Sequence, residues 1–290
     1  MKSNSKKKQL GKSKVFVIAE TGTNHMGDMK ILKKIIDIAV ETGCDAVKLQ
    51  RKDVENIYTT EFLDSYLESP WGNTQRAMRL HREFSIKQLK EIDNYCKKKK
   101  IPWFVSCWDT KSQREMKQFK LKYNKVASAM LLHKELLEII AKEKKHTFIS
   151  TGMSNMRDIS YAVKLFRKYK CPFTLMHAHS SYPMAEEEAN LKLISILKKK
   201  FKCEVGYSGH EIGATSVSIP AVMMGATVIE RHITVDRTFY GHDQAASLEF
   251  EGIRRLVRDI RILEKLMGDG KKKIWNSEKE NIKKLRQKFV

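Results

Sequence analysis

The chain has 290 residues, 41% of them hydrophobic and 31% charged, which excludes intrinsic disorder and leaves room for one large domain or two small ones. No apolar run approaches the ~18 residues of a membrane span, and the basic first fourteen residues lead into no apolar core of a signal peptide. The net charge of +22 rests on 42 lysines and 14 arginines, and lysine runs such as 97–100 and 198–200 fit solvated helix faces better than the arginine forks that read nucleic acid.

In chain order, short runs rich in β-branched or aromatic residues predict strands at 15–20 (VFVIAE), 46–50 (AVKLQ), 103–107 (WFVSC), 125–128 (KVAS), 147–151 (TFIST), 173–178 (FTLMHA), 204–208 (EVGYS) and 227–233 (TVIERHI). Amphipathic runs between them predict helices. Ile31, Leu32, Ile35, Ile36, Ile38, Ala39 and Val40 make one apolar stripe, Leu89, Ile92 and Tyr95 another, and Leu136, Leu137 and Ile140 a third. The last stripe, Ile253, Leu256, Val257, Ile260, Leu263 and Leu266, runs down to a stop at Gly268. Eight strand–helix units in about 250 residues match an α/β fold of the (β/α)8 TIM-barrel type. The first turn, AETGTNHMGD, lacks the GxGxxG of a doubly wound fold.

The expected organisation is a basic tail over 1–14, one barrel over 15–268 and a C-terminal tail over 269–290 that is either a docked helix or a stub. The long 51–84 connection, with its SPWGNTQ stretch, is expected to fold into a flap over the barrel mouth. Five scattered cysteines without a CxxC pair fit reduced thiols in a cytoplasmic protein.

Barrel enzymes gather their reactive groups at the C-terminal strand ends. Every predicted end here is polar: Glu20, Lys48 with Gln50, Ser106, Lys125 with Ser128, Ser150 with Thr151, His177 with His179, Ser208 with His210, and Glu230 with His232. One buried serine usually satisfies a backbone group, and one histidine more often packs than ligates. Eight polar ends together point to a site. Lys48 and Lys125 demand an anion, because an unpaired buried ammonium is costly. Ser106, Ser128, Ser150 and Ser208 are small donors suited to carboxylate or phosphate oxygens. No P-loop is present, so a nucleotide is not implied. His210 and His232 follow neighbouring strands ~4.8 Å apart and are placed to share a cation. Spacing alone leaves that reading level with two unrelated histidines. His25, after the first strand, is a third ligand or a capping residue.

VFVIAETGTNHMGD, AVKLQ, KVAS, FISTGM, SSYPM, VGYSGHEIG, VIERHIT and GHDQAASLE together resemble, in order and spacing, the sialic acid synthase (N-acetylneuraminate synthase) family over residues 14–270. The resemblance implies a metal-dependent, C–C bond-forming transferase. Its substrates would be phosphoenolpyruvate and an N-acetylmannosamine-like aldose, free or 6-phosphorylated, and its products a nine-carbon 2-keto sugar acid and phosphate. It implies His210 and His232 as ligands of a divalent metal, manganese first, with magnesium or cobalt as alternatives. Glu20 would stand beside that metal as base or orienter of a water, completing a catalytic set with the two histidines. The resemblance puts phosphoenolpyruvate on Lys48, Ser106, Lys125, Ser128, Ser150, Ser180 and Ser208, with Ser180 where an asparagine is common. It puts the sugar near Gln50, Tyr182 and Asp243.

Family members often carry an antifreeze-like C-terminal domain whose arginine reaches a partner's active site. No segment here resembles it, so either that domain is supplied elsewhere or sugar contacts are expected from the 236–244 loop and from Arg76, Arg79 or Arg82 of the 51–84 connection, unless those arginines are solvated charges. The expected partners are phosphoenolpyruvate and an amino sugar, with no membrane and no nucleic acid, and a homodimer stays open. Two rival readings also stay open: another phosphoenolpyruvate-condensing barrel, such as a 3-deoxy-octulosonate 8-phosphate synthase, and a non-catalytic basic barrel that binds nucleic acid or a surface.

Overall fold

The computed structural model describes residues 15–288. Eight parallel strands close into a barrel: β1 (Phe16–Glu20), β2 (Ala46–Arg51), β3 (Trp103–Cys107), β4 (Tyr123–Val126), β5 (His146–Ser150), β6 (Phe173–Ala178), β7 (Glu204–Gly209) and β8 (Val228–His232). Barrel strands are covered on both faces, so they read as nearly continuous apolar runs until their last residues. Closure of β1 against β8 aligns Glu20 with His232, and pairing of β1 with β2 aligns Glu20 with Lys48. Side chains alternate along a strand, so Phe104 with Ser106, Tyr123 with Lys125, and Phe148 with Ser150 share the inward face. The aromatic members, with Phe16, pack at 5.5–5.9 Å between ring centroids. They make an apolar floor beneath the polar residues two positions further on.

The helices form where the stripes place them. Asp28 caps Met29–Glu41, its Oδ1 accepting the Lys30 and Ile31 amides, and the helix buries Leu32, Ile35, Ile36 and Ala39. A Ser85–Gln88 capping box starts Ile86–Lys99, and Phe250–Leu266 buries Ile253, Leu256, Val257 and Ile260.

Three expectations change in detail. The fourth strand lies two residues earlier than 125–128, because its pairing with β5 runs from Tyr123 to Val126. Ser128 instead opens a 3-10 turn, Ser128–Met130, in which the Met130 amide donates to the Ala127 carbonyl. Beyond Gly268 the chain forms a short helix, Lys279–Leu285, that is exposed rather than docked. The predicted 1–14 tail lies outside the described residues.

The 51–84 connection is ordered. It contains the helices Val54–Ile57, Thr60–Asp64 and Gln75–His81 around an antiparallel hairpin of Tyr66–Ser69 with Gly72–Thr74. Trp71 stacks on His81 at 4.6 Å and meets the edge of Tyr240 at 5.7 Å, while the Tyr240 hydroxyl donates to the Glu68 carbonyl. These contacts tie the connection to the 236–244 loop across the barrel mouth.

One buried ion pair holds the barrel end without taking part in the site. Arg231 is fully buried and donates to Glu211 Oε1 at 2.7 Å, to the Gly213 carbonyl and to Ser218 Oγ. Arg231→Met leaves the Glu211 carboxylate uncompensated, and the expected loss is about 3–5 kcal/mol of stability. Urea unfolding checks this: the midpoint falls while the slope stays as it was.

Candidate active site

Above the aromatic floor, four charges meet. Lys48 Nζ lies 2.6 Å from Glu20 Oε2 and 3.6 Å from Glu230 Oε1. Lys125 Nζ donates to both Glu230 oxygens, at 3.1 and 3.0 Å. Gln50 donates to Glu20 Oε1 at 3.0 Å, and Ser208 Oγ to Glu230 Oε1 at 3.1 Å. All four charged groups are at most 4% exposed. Burial works against the Lys48 ammonium, but Glu20 and then Glu230 outweigh it and raise its pKa. At Lys125 burial prevails, helped by Lys48, and the pKa is lowered. Glu230 is brought down to about 2, because Lys125 and Lys48 outweigh its burial.

The anion that each lysine demands is supplied within the protein. Glu230, to which sequence reasoning gave no role, is their shared partner, and Glu20 is the second. The sequence did hold a signal: two lysines in a closed core need carboxylates near them, and Glu20 and Glu230 are the acidic residues at strand ends. Each ammonium has three N–H donors, so these contacts leave a donor for a further oxygen.

Ser208 touches this cluster, and Ser106 is paired in register with Lys125. Ser106, Ser150 and Ser208 are buried on β3, β5 and β7, and Ser106 lies 3.4 Å from the Leu49 carbonyl. Ser128 and Ser180 flank Gly152, whose amide donates to Ser128 Oγ at 3.2 Å. A Cβ at Gly152 would sit 2.4 Å from Ser180 Oγ and 2.8 Å from Ser128 Oγ. Ser180 Oγ is itself buried with no hydrogen-bond partner.

Beside the cluster stand the two histidines, with ring centroids 5.5 Å apart. His210 Nδ1 donates to the His179 carbonyl at 2.5 Å, which leaves its Nε2 as a lone-pair donor. Burial, then the neighbouring His232, pushes the His210 pKa down to about 3. His232 Nδ1 is buried with no hydrogen-bond partner and lies 4.0 Å from Asp243 Oδ2. Tyr182 covers both rings, at 4.1 and 5.8 Å. Burial and the nearby carboxylates raise its pKa, so its phenol is a proton donor. Among the described residues no three His, Cys, Asp or Glu side chains group to hold a metal ion. Two imidazoles with a spare nitrogen fit a cation whose other ligands are oxygens of water or substrate.

Asp243 Oδ2 accepts from the Thr23 amide at 2.9 Å and the Thr23 hydroxyl at 3.1 Å. Burial opposes its charge, but His232 and the Thr23 amide bring the pKa down to about 2. Of the two roles open to His25, the contacts show the capping one. Its Nδ1 accepts the Gly27 amide and its ring packs on Phe84, so it caps the turn after β1. The three arginines of the connection diverge. Arg76 pairs with Glu55 and Asp64 on the outside. Arg79 lies over Tyr58 and Phe62. Arg82 reaches inward, 3.4 Å from Thr23 Oγ1.

Comparison with known proteins gives concordant results. Residues 35–272 match the NeuB family. The chain is 36% identical to an N,N'-diacetyllegionaminic acid synthase of Campylobacter jejuni, over 96% of this chain and 84% of the relative. It is 34% identical to an N-acetylneuraminate-9-phosphate synthase of Mus musculus, over 97% and 79%. The solved N-acetylneuraminic acid (sialic acid) synthetase of Leptospira borgpetersenii superposes with a TM-score of 0.82 at 34% identity, over 95% of this chain and 93% of that one.

Proposed function

The chain belongs to the NeuB family of sialic acid-type synthases, and from that premise we propose that it condenses phosphoenolpyruvate with an N-acetylmannosamine-like aldose to a nine-carbon 2-keto sugar acid and phosphate. The observation that carries this reading is the pair of buried lysines with spare donors, with Ser208 on their shared carboxylate and two imidazoles beside them. The relatives' names include a phosphorylated and an unphosphorylated product, so the family alone does not select the acceptor.

Lys48, Lys125 and the serines hold the carboxylate and phosphate of phosphoenolpyruvate and orient its C3 toward the aldehyde. Tyr182, Gln50 and Asp243 position the open-chain sugar. A divalent cation, manganese first, held by His210 and His232 would supply Lewis-acid polarisation of the aldehyde oxygen. C3 attacks the aldehyde carbon and leaves an oxocarbenium at C2. Water adds to C2, and the tetrahedral carbon expels phosphate by C–O cleavage. Glu20, fixed by Lys48 and Gln50 and aligned with His232, accepts the proton of that water.

The test is phosphate release from phosphoenolpyruvate with N-acetylmannosamine, its 6-phosphate, mannose 6-phosphate and 2,4-diacetamido sugars, each with manganese. Release that depends on one of these acceptors supports the reading, and release with none of them contradicts it.

Gly152→Ala tests the serine pair. The new methyl must displace two short hydroxyls, so the KM for phosphoenolpyruvate is expected to rise roughly tenfold, the loss of about one hydrogen bond to a charged ligand. An unchanged KM removes Ser128 and Ser180 from the anion site.

A further inference from the structure

The Glu211–Arg231 pair touches no reacting group, but each member is the chain neighbour of a site histidine. Glu211 follows His210, and Arg231 precedes His232. Arg231 stands opposite Gly209 in the β7–β8 register. Side chains alternate along β8, so Glu230 and His232 face the barrel interior and Arg231 faces the outer wall.

The guanidinium there holds more than a carboxylate. Its Nη1 donates to Glu211 Oε1 at 2.7 Å and to the Gly213 carbonyl at 2.9 Å, and its Nη2 donates to the carbonyl of Glu211 itself at 2.5 Å. One side chain of β8 thus grips the backbone that leaves His210. The Glu211 carboxylate is fixed in turn. Oε1 accepts from Ser218 Oγ at 3.0 Å, and Oε2 accepts from the hydroxyl of Tyr207, which lies on β7. The carboxylate folds back over Gly209, where a Cβ would lie 2.5 Å from Oε2.

The two histidines are anchored unequally. His210 donates from Nδ1 to the His179 carbonyl, and its own carbonyl accepts the Met184 amide. His232 Nδ1 has no hydrogen-bond partner, and its carbonyl accepts the Leu248 amide. The 5.5 Å between the rings is therefore set by the strand ends that carry them and by the side chain that ties one end to the other.

We infer that Arg231 is a positioning residue for the cation site: through Glu211 and the carbonyls of Glu211 and Gly213 it fixes the separation of His210 and His232. The inference rests on the divalent cation proposed above for that pair. Two imidazoles share a cation only when a nitrogen of each comes within about 2 Å of it. Among the described residues no third side chain completes the group, so slack between the two strand ends acts directly on metal affinity.

The experiment measures manganese binding without substrates, by electron paramagnetic resonance of the free ion. It compares the wild type with Arg231→Lys, Arg231→Met, His210→Ala and the control Arg261→Met. Arg261 pairs with Asp45 and donates to the Val15 carbonyl at the opposite end of the barrel. Arg231→Lys keeps a charge beside Glu211 but loses the fork that spans carboxylate and carbonyls. Its urea midpoint should stay near the wild-type value, yet its dissociation constant for manganese should rise roughly tenfold, and that of Arg231→Met by up to about a hundredfold. Phosphoenolpyruvate alone should bind both variants as it binds the wild type. Arg261→Met should lower the urea midpoint and leave manganese binding unchanged. Wild-type manganese affinity in Arg231→Lys, with affinity lost in His210→Ala, overturns the inference and leaves the cation site standing. An equal loss of phosphoenolpyruvate affinity also overturns it, since the whole barrel mouth would then have loosened. Manganese bound alike by the wild type and His210→Ala contradicts the cation site, and the inference with it.

Discussion

Alanine at His210 or at His232 lowers turnover by at least about 10³-fold while the barrel still folds. The two imidazoles stand at the ends of neighbouring strands, and each keeps a nitrogen unused by the protein. No third His, Cys, Asp or Glu joins them among the described residues, so neither can be replaced from within the site. On the proposed reading their loss would remove the polarisation that a bound divalent cation would supply to the aldehyde oxygen, but would leave the lysines and serines in place. Phosphoenolpyruvate therefore still binds, and calorimetry with that substrate alone should give a dissociation constant close to the wild-type value. Near-normal turnover in the double variant with saturating manganese and acceptor would remove the histidines from the chemistry.

Lys125→Met acts on both stability and binding. It leaves Glu230 with Lys48 at 3.6 Å as its nearest charge, and breaking such a buried pair costs about 3–5 kcal/mol. On the proposed reading it would also remove a donor to phosphoenolpyruvate, worth about 1.5–3 kcal/mol, so the KM for that substrate should rise roughly ten- to hundred-fold with the sugar KM little changed. Lys48→Met should behave likewise, with Glu20 as the carboxylate left behind. The double change Lys125→Met with Glu230→Gln separates the two effects. It removes the uncompensated charge and should regain most of the stability, yet the high KM for phosphoenolpyruvate should persist. Recovery of both would mean that Lys125 holds the scaffold and not the anion.

The barrel was legible because eight short runs rich in β-branched or aromatic residues, each with polar residues at or near its C-terminal end, alternate with amphipathic runs. The fourth strand was misplaced by two residues because Ala127 and Ser128 suit a strand end and a tight turn equally, and only pairing with β5 decides between them. The positions of Lys48, Lys125, His210 and His232 at the mouth followed from the same pattern. Their partners did not. Lys125 and Glu230 lie 105 residues apart, and barrel closure brings them together. The same closure sets Glu20 between Lys48 and His232. Arg76 and Arg79 lie on the helix Gln75–His81 and Arg82 caps its C-terminus at the same spacing, and only the fold shows that Arg82 turns inward.

The fate of the bridging oxygen of phosphoenolpyruvate tests the central claim most directly. With the C2 oxygen labelled as ¹⁸O, the reaction is run with the acceptor that supports phosphate release, and both products are weighed by mass spectrometry. Condensation by addition of water at C2 sends the label into the released phosphate and leaves the 2-keto acid with oxygen from solvent. Label retained in the organic product, with unlabelled phosphate, would mean cleavage between phosphorus and oxygen and would contradict the account.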